Sequence, residues 1–177
     1  MMTLTLDDAV DPRTLRADFV AAMGNAATGV TVVATDGAAG RFAQTVSAMS
    51  SVSADPPSLL VCVNRRSPLA DAAVRNGVFS VNVLAVDQAH VSDVFAGRPA
   101  DGESPYEPYD FDCARWLSLH TGAPTLADAA AVFDCRLADA YEHGTHRILI
   151  GEVLASAVTD AAPLVHHARA YGSHRPL

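Results

Sequence analysis

Residues 41–57 read Arg41-Phe-Ala-Gln-Thr-Val-Ser-Ala-Met-Ser-Ser-Val-Ser-Ala-Asp-Pro-Pro57. The first part, residues 41–47, is expected to form a strand. Five hydroxyls follow closely at Thr45, Ser47, Ser50, Ser51 and Ser53, and Asp55-Pro56-Pro57 then blocks regular structure. A strand that leaves its sheet here would present free backbone amides and hydroxyls on one side. Such a surface suits a flat, polar-edged ring with a phosphate. A serine-rich loop that satisfies its own backbone is the competing reading.

The flanking segments set this stretch in a mainly β chain. On the N-terminal side, Asp11-Pro12 opens a helix with a capping carboxylate and a proline in the first turn. Leu15, Phe19 and Met23 recur along it at helical spacing. Residues 29–35, Gly-Val-Thr-Val-Val-Ala-Thr, are rich in β-branched types and read as a strand, with a hairpin turn over residues 36–40. On the C-terminal side a buried strand is expected over residues 58–63. Ser67-Pro68 starts a helix that runs to Asn76, and Gly77 ends it. Residues 78–84 read as a strand and residues 87–95 as a helix. Residues 97–115, with Tyr106, Tyr109 and Phe111, read as a long surface loop. Residues 129–141 and 146–158 read as long strands joined by Glu142-His-Gly-Thr145, and a last short strand falls near residues 164–171. Six or seven strands with hairpin connections and three short helices predict an antiparallel barrel or closed sheet with peripheral helices. No alternating βαβ pattern is present.

Composition narrows the function. The chain has 177 residues, half of them hydrophobic, which suits one domain with a real core. No apolar run approaches the roughly 18–20 residues that span a bilayer. Asp7, Asp8, Asp11 and Asp18 stand where a secretory signal would be basic and apolar, so a cytoplasmic protein is expected. The net charge of −8 argues against a general nucleic-acid surface. All twelve basic residues are arginine, which excludes a Schiff-base or P-loop lysine; a bound phosphate would be held by arginine, hydroxyls and backbone amides. Cys62, Cys113 and Cys135 fit neither a zinc pattern nor a disulfide framework. The pair His166-His167 lies on a strand, where neighbours point to opposite faces and no carboxylates accompany them, so no metal site is expected.

Five pieces in order resemble the flavin reductase family, which has the antiparallel FMN-binding split-barrel fold. They are Met23-Gly-Asn-Ala-Ala-Thr-Gly-Val-Thr-Val-Val33, the 41–57 stretch, Val61-Cys-Val-Asn-Arg-Arg-Ser-Pro68, Gly77-Val-Phe-Ser-Val-Asn-Val-Leu84, and His143-Gly-Thr-His146 followed by Ile148-Leu-Ile-Gly-Glu-Val153. The likeness runs over residues 16–172 and implies a single domain over 1–177. It implies that Gln44, Thr45, Val46, Ser47 and Ala48 line the isoalloxazine edge. Ser50 and Ser51 would contact the ribityl chain and phosphate, with Asn64, Arg65 and Ser67 completing the phosphate site at a helix N-terminus. His146 would face the flavin from the nicotinamide side as the catalytic residue. Its family neighbour is usually Asp; here Thr145 supplies a hydrogen-bonding oxygen without charge. Tyr171 stands where the family places a ring near the flavin, and core packing is the other reading.

The resemblance further implies hydride transfer from NADH or NADPH to FMN or FAD, a homodimer, and supply of reduced flavin to a partner monooxygenase. A flavin-binding electron-transfer module and a flavoenzyme acting directly on a small biosynthetic substrate are the alternatives.

Overall fold

The computed structural model describes residues 11–96 and 110–176. Helix α1 (Pro12–Gly24) starts as the Asp-Pro signature predicts, with the Asp11 carboxylate accepting from the Thr14 N–H. Strands β1 (Thr28–Gly29), β2 (Thr31–Thr35), β3 (Phe42–Val46), β4 (Met49–Ala54) and β5 (Pro57–Asn64) follow. Then come α2 (Pro68–Asn76), β6 (Val78–Val83), a 3₁₀ turn, and α3 (Ala89–Phe95). After residues 97–109, which lie outside the described residues and take Tyr106 and Tyr109 with them, come a 3₁₀ turn (Phe111–Cys113), β7 (Trp116–Ser118) and β8 (Pro124–Leu126). The chain ends in β9 (Ala131–His143), β10 (His146–Val158), β11 (Leu164–His167) and β12 (Ala170–Ser173).

Seven strands form one antiparallel sheet in the order β3-β2-β6-β9-β10-β5-β4. This corrects the expectation for residues 41–57. The segment does not leave its sheet once as a loop; it forms both edge strands of the same sheet, and only Ser47 and Ala48 separate them. Six strand spacings of about 4.8 Å would put flat edges roughly 29 Å apart. Three peptide steps reach about 11 Å at most. The sheet therefore curls until its edges meet at this link, while no ladder joins β3 to β4. That is a split antiparallel barrel, as the strand pattern and the resemblance predict.

The curl creates two apolar layers. Inside it, Val33, Val61, Val63, Phe79, Val81 and Leu149 pack with Leu69, Ala70 and Ala73 of α2. Outside β2 and β6, Val32, Ala34 and Ala43 pack with Leu84, Val91 and Phe95 near α3 and with Leu126 of β8. Strand β2 is buried on both faces, which explains its unbroken run of β-branched and small residues. Two polar residues buried in these layers are well paired. Asn82 donates to the Val32 carbonyl (2.9 Å) and accepts from the Leu126 N–H (2.7 Å). Asp134, fully buried on β9, accepts from the Thr121 N–H (2.7 Å) and from the Thr121 hydroxyl.

Three local details go beyond the sequence reading. The final strand is a hairpin, β11–β12, whose turn residues Ala168 and Arg169 both have positive φ (49° and 66°). Of the cysteines, Cys135 is buried, and burial pushes its thiol up to about 12; Cys62 is only half-buried, because it alternates with the inward-facing Val61 and Val63. The apolar residues of α1 do not face the core: Leu15, Phe19 and Met23 are 59 %, 63 % and 53 % exposed. Among the described residues no helix is long and apolar enough to cross a membrane.

Candidate active site

A cavity of about 240 Å³ opens beside the sheet edge where β3 ends. One wall is Thr45, Val46 and Ser47. The facing wall is Ser92 and Ala96 of α3, and His166 and Tyr171 of the β11–β12 hairpin close it. The Thr45 hydroxyl donates to the Ser92 carbonyl (2.8 Å). The Tyr171 hydroxyl lies 2.9 Å from Ser92 Oγ and 2.8 Å from Asp93 Oδ1. The His166 and Tyr171 rings meet edge to face, with centroids 5.9 Å apart.

A second cluster sits at the end of β5. Asn64 pairs with His146 in the β5–β10 ladder. Asn64 Oδ1 accepts from the Arg66 N–H (2.9 Å), which shapes the corner leading into α2. The Arg65 N–H donates to the Thr145 carbonyl (3.0 Å), so the corner is fastened to the two-residue β9–β10 turn. Gly144 begins that turn with φ +55°, a conformation that favours glycine. The Arg65 guanidinium pairs with Glu142 (3.1 Å), and Arg147 bridges Glu142 and Asp71 at 2.6 Å each. The hydrogen bond from Arg147, followed by the charge of Arg65, holds the Glu142 carboxyl below its usual range. His146 is exposed, and its Nδ1 lies 2.9 Å from the Thr145 hydroxyl. Ser67 is buried as the cap of α2, its Oγ accepting from the Leu69 N–H (3.3 Å).

The sequence-predicted residues thus separate into groups. Thr45, Val46, Ser47 and Tyr171 come together at the cavity. Asn64, Arg65, Ser67 and His146 come together at the corner. The Ala48 carbonyl accepts from the Cys62 N–H (3.1 Å), two residues before Asn64, and this ties the cavity wall to the corner. Ser50 and Ser51 lie on β4, opposite Leu60 and Leu59, exposed to solvent. Gln44 shares the inward strand face with Phe42 and Val46. Its Oε1 is buried without a donor among the described residues.

The sequence alone does not single out Ser92 or Asp93, and it raises His166 only as half of a His-His pair. The one available signal was Ser92 itself, a hydroxyl between Val91 and Phe95 on the apolar face of α3.

This arrangement has close counterparts. The family model described as "Flavin reductase like domain" matches residues 23–175. A protein of Bradyrhizobium diazoefficiens named "FMN reductase (NADH) RutF" is 44 % identical over 174 residues, covering 96 % of this chain and 89 % of the relative. The crystal structure of BorF, the flavin reductase component of a bacterial two-component tryptophan halogenase, superposes with a TM-score of 0.75. It is 38 % identical and is covered to 98 %, against 92 % of this chain. The Streptomyces globisporus NADH:FAD oxidoreductase SgcE6, solved in complex with NAD and FAD fragments, superposes with a TM-score of 0.80 at 27 % identity. That match covers 96 % of this chain and 98 % of SgcE6. The curled seven-stranded sheet, the hydroxyl-lined cavity at its split and the extent of these matches have one conclusion: the chain belongs to the flavin reductase family.

Proposed function

We propose that this protein is an NADH-dependent flavin reductase that reduces FMN or FAD and passes the reduced flavin to a separate monooxygenase. The observation that carries the reading is the cavity wall Thr45-Val46-Ser47, fastened through Ala48 and Cys62 to an arginine-bearing helix corner. These residues fit a flavin. Hydroxyls and main-chain groups along a strand edge match the polar rim of an isoalloxazine ring. The paired rings of His166 and Tyr171 give an aromatic wall. Arg65, Arg66 and the N-terminus of α2 supply the positive field for a phosphate.

A bound flavin supplies the redox chemistry, accepting a hydride from the reduced nicotinamide. The chain's own residues bind and position. Thr45, Val46, Ser47 and Ala48 orient the ring edge, and Ser50 and Ser51 on β4 reach the ribityl and phosphate end. Asn64 shapes the phosphate corner, and Ser67 acts through the α2 terminus that it caps. His146 orients the nicotinamide nucleotide, with Thr145 holding its ring through Nδ1. The names of the relatives favour FMN and NADH over FAD and NADPH.

The exposed apolar side of α1, together with β4, exposed along its whole length, supports a homodimer in which these surfaces are covered. The free thiols of Cys62, Cys113 and Cys135 suit the reducing cytoplasm.

The test is steady-state oxidation of NADH and NADPH with added FMN or FAD. The expected result is NADH consumption that requires added flavin and is fastest with FMN. Tight flavin binding with no NADH consumption would replace this reading with the electron-transfer module. The uncharged Thr145 contact to His146 is the observation that favours that second reading.

A further inference from the structure

We infer that Ser92 and Asp93 of α3 are positioning residues that set the width of the flavin-ring cavity by holding Tyr171 at a fixed distance from β3. This rests on the proposed placement of the flavin ring in that cavity. The two walls belong to different sheets. Thr45 and Val46 lie on the seven-stranded sheet, whereas Tyr171 lies on the three-stranded sheet β1-β11-β12. The hairpin is anchored near its base, where Leu164 exchanges main-chain hydrogen bonds with Val30 and Leu84. Its tip is tied to the end of α1, where the Ala168 N–H donates to the Gly24 carbonyl (2.8 Å), and β1 pairs with β11 up to His166. These main-chain bonds place the hairpin but do not hold the Tyr171 side chain.

Ser92 ties that side chain to β3. Its carbonyl accepts from Thr45 Oγ1 at 2.8 Å, and its own Oγ is 2.9 Å from the Tyr171 hydroxyl. It is 1 % exposed, which limits the competition of water for these bonds. The proton count assigns the directions. An ionised Asp93 is acceptor-only, so the single Tyr171 proton goes to Asp93 Oδ1 and the Ser92 hydroxyl donates to Tyr171 Oη. The resulting chain runs from β3 through Ser92 and Tyr171 to Asp93. It leaves the tyrosine ring, rather than a free hydroxyl proton, to line the cavity. A gap held in this way admits one planar ring system, and the His166 ring against Tyr171 stiffens that wall.

The experiment compares Ser92→Ala, Asp93→Ala, Tyr171→Phe and the double variant Ser92→Ala/Tyr171→Phe with the native protein. Readouts are KM for FMN, kcat with NADH, and quenching of FMN fluorescence on binding. Each single variant should raise KM for FMN about three- to tenfold, the range expected for one lost hydrogen bond, with kcat changed less than about twofold. The double variant should be no worse than the poorer single one, because both cut the same link. Fluorescence quenching should fall in step. Asp93 is exposed, so Asp93→Ala keeps the question open even where Ser92→Ala folds poorly. Native KM and quenching in Ser92→Ala and Asp93→Ala, with a raised KM in Tyr171→Phe, overturn the inference while the flavin site stands. Unchanged FMN affinity in Tyr171→Ala and Ser47→Ala as well would remove the flavin from this cavity and take the inference with it.

Discussion

The two edges of the curled sheet are neighbours in sequence and opposites in character. Strand β3 is knitted in: Ala43 is fully buried, Thr45 is bonded to α3, and the Val46 carbonyl accepts from the buried Thr31 hydroxyl at 2.9 Å. Strand β4 pairs on one side only, its ladder with β5 is broken by a bulge between Ser51 and Ser53, and all six of its residues are exposed. Two residues separate these environments. The contrast shows that stability and recognition occupy different halves of one motif. The β3 half is constrained by what it packs against. The β4 half is constrained by what comes to it from outside, and a bare edge of this kind invites pairing unless a partner or ligand covers it.

Substitutions graded by their distance from the core test that division. The largest loss is expected for Phe79→Ala, on the layer beneath β3: about 3–5 kcal/mol, read from the urea midpoint at constant m-value. Phe79 is fully buried, and its ring lies 2.5 Å from where a Cβ on Gly151 would stand. A loss below about 1 kcal/mol would show that the inner layer does not dominate stability. Asp134→Ala should cost about 1–3 kcal/mol, because it leaves the half-buried donors of Thr121 without their acceptor; thermal denaturation measures it. Thr31→Val removes the hydroxyl tie to Val46 and should cost about 0.5–1.5 kcal/mol in the same assay. Val52→Ser on β4 should alter single-chain stability by less than about 0.5 kcal/mol. A larger loss that grows with protein concentration would sharpen the comparison, since it would mean that a second copy buries this edge.

The smallest effect concerns pH. Glu142 has a lowered pKa, so its contribution is fully present above its ordinary value of 4.5 and is lost as pH falls through the lowered folded value. The denaturation midpoints of the native protein and Glu142→Gln should therefore converge on acidification below about pH 4.5. Parallel curves throughout would contradict this assignment.

Much of the fold was legible because its signals are local. The β-branched runs of β2, β5 and β6, the Ser67-Pro68 start of α2 and the Gly144 turn each carry their own chemistry within a few residues. What was hidden has non-local causes. Strand β4 reads as a serine-rich loop because a strand exposed on both faces shows no apolar alternation. The β11–β12 turn uses Ala168 and Arg169 at positive φ, without the glycine or asparagine that would announce it. The packing face of α1 could be read from its spacing, but the spacing does not say whether this chain or another covers it. In the site, Thr45–Ser47 and the Asn64–Ser67 corner were visible as motifs. The bonds from Ser92 and Asp93 to Tyr171 were not, since they join residues 79 and 78 positions apart. Trp116 packs in a trio of rings with Phe95 and Phe111, likewise joined across the sequence.

The link Ser47-Ala48 has a consequence for connectivity. It is the short covalent clasp across the split, and it is exposed. New chain ends placed between these residues, with the old ones joined, would leave every strand and every ladder in place. Yet they would turn the curled sheet from a fastened ring into an open cuff, held shut only by the apolar layers on its two faces. The position where the split barrel is fastened is also the position where the ligand wall begins, so a cut there would loosen the grip on a ring sooner than the fold.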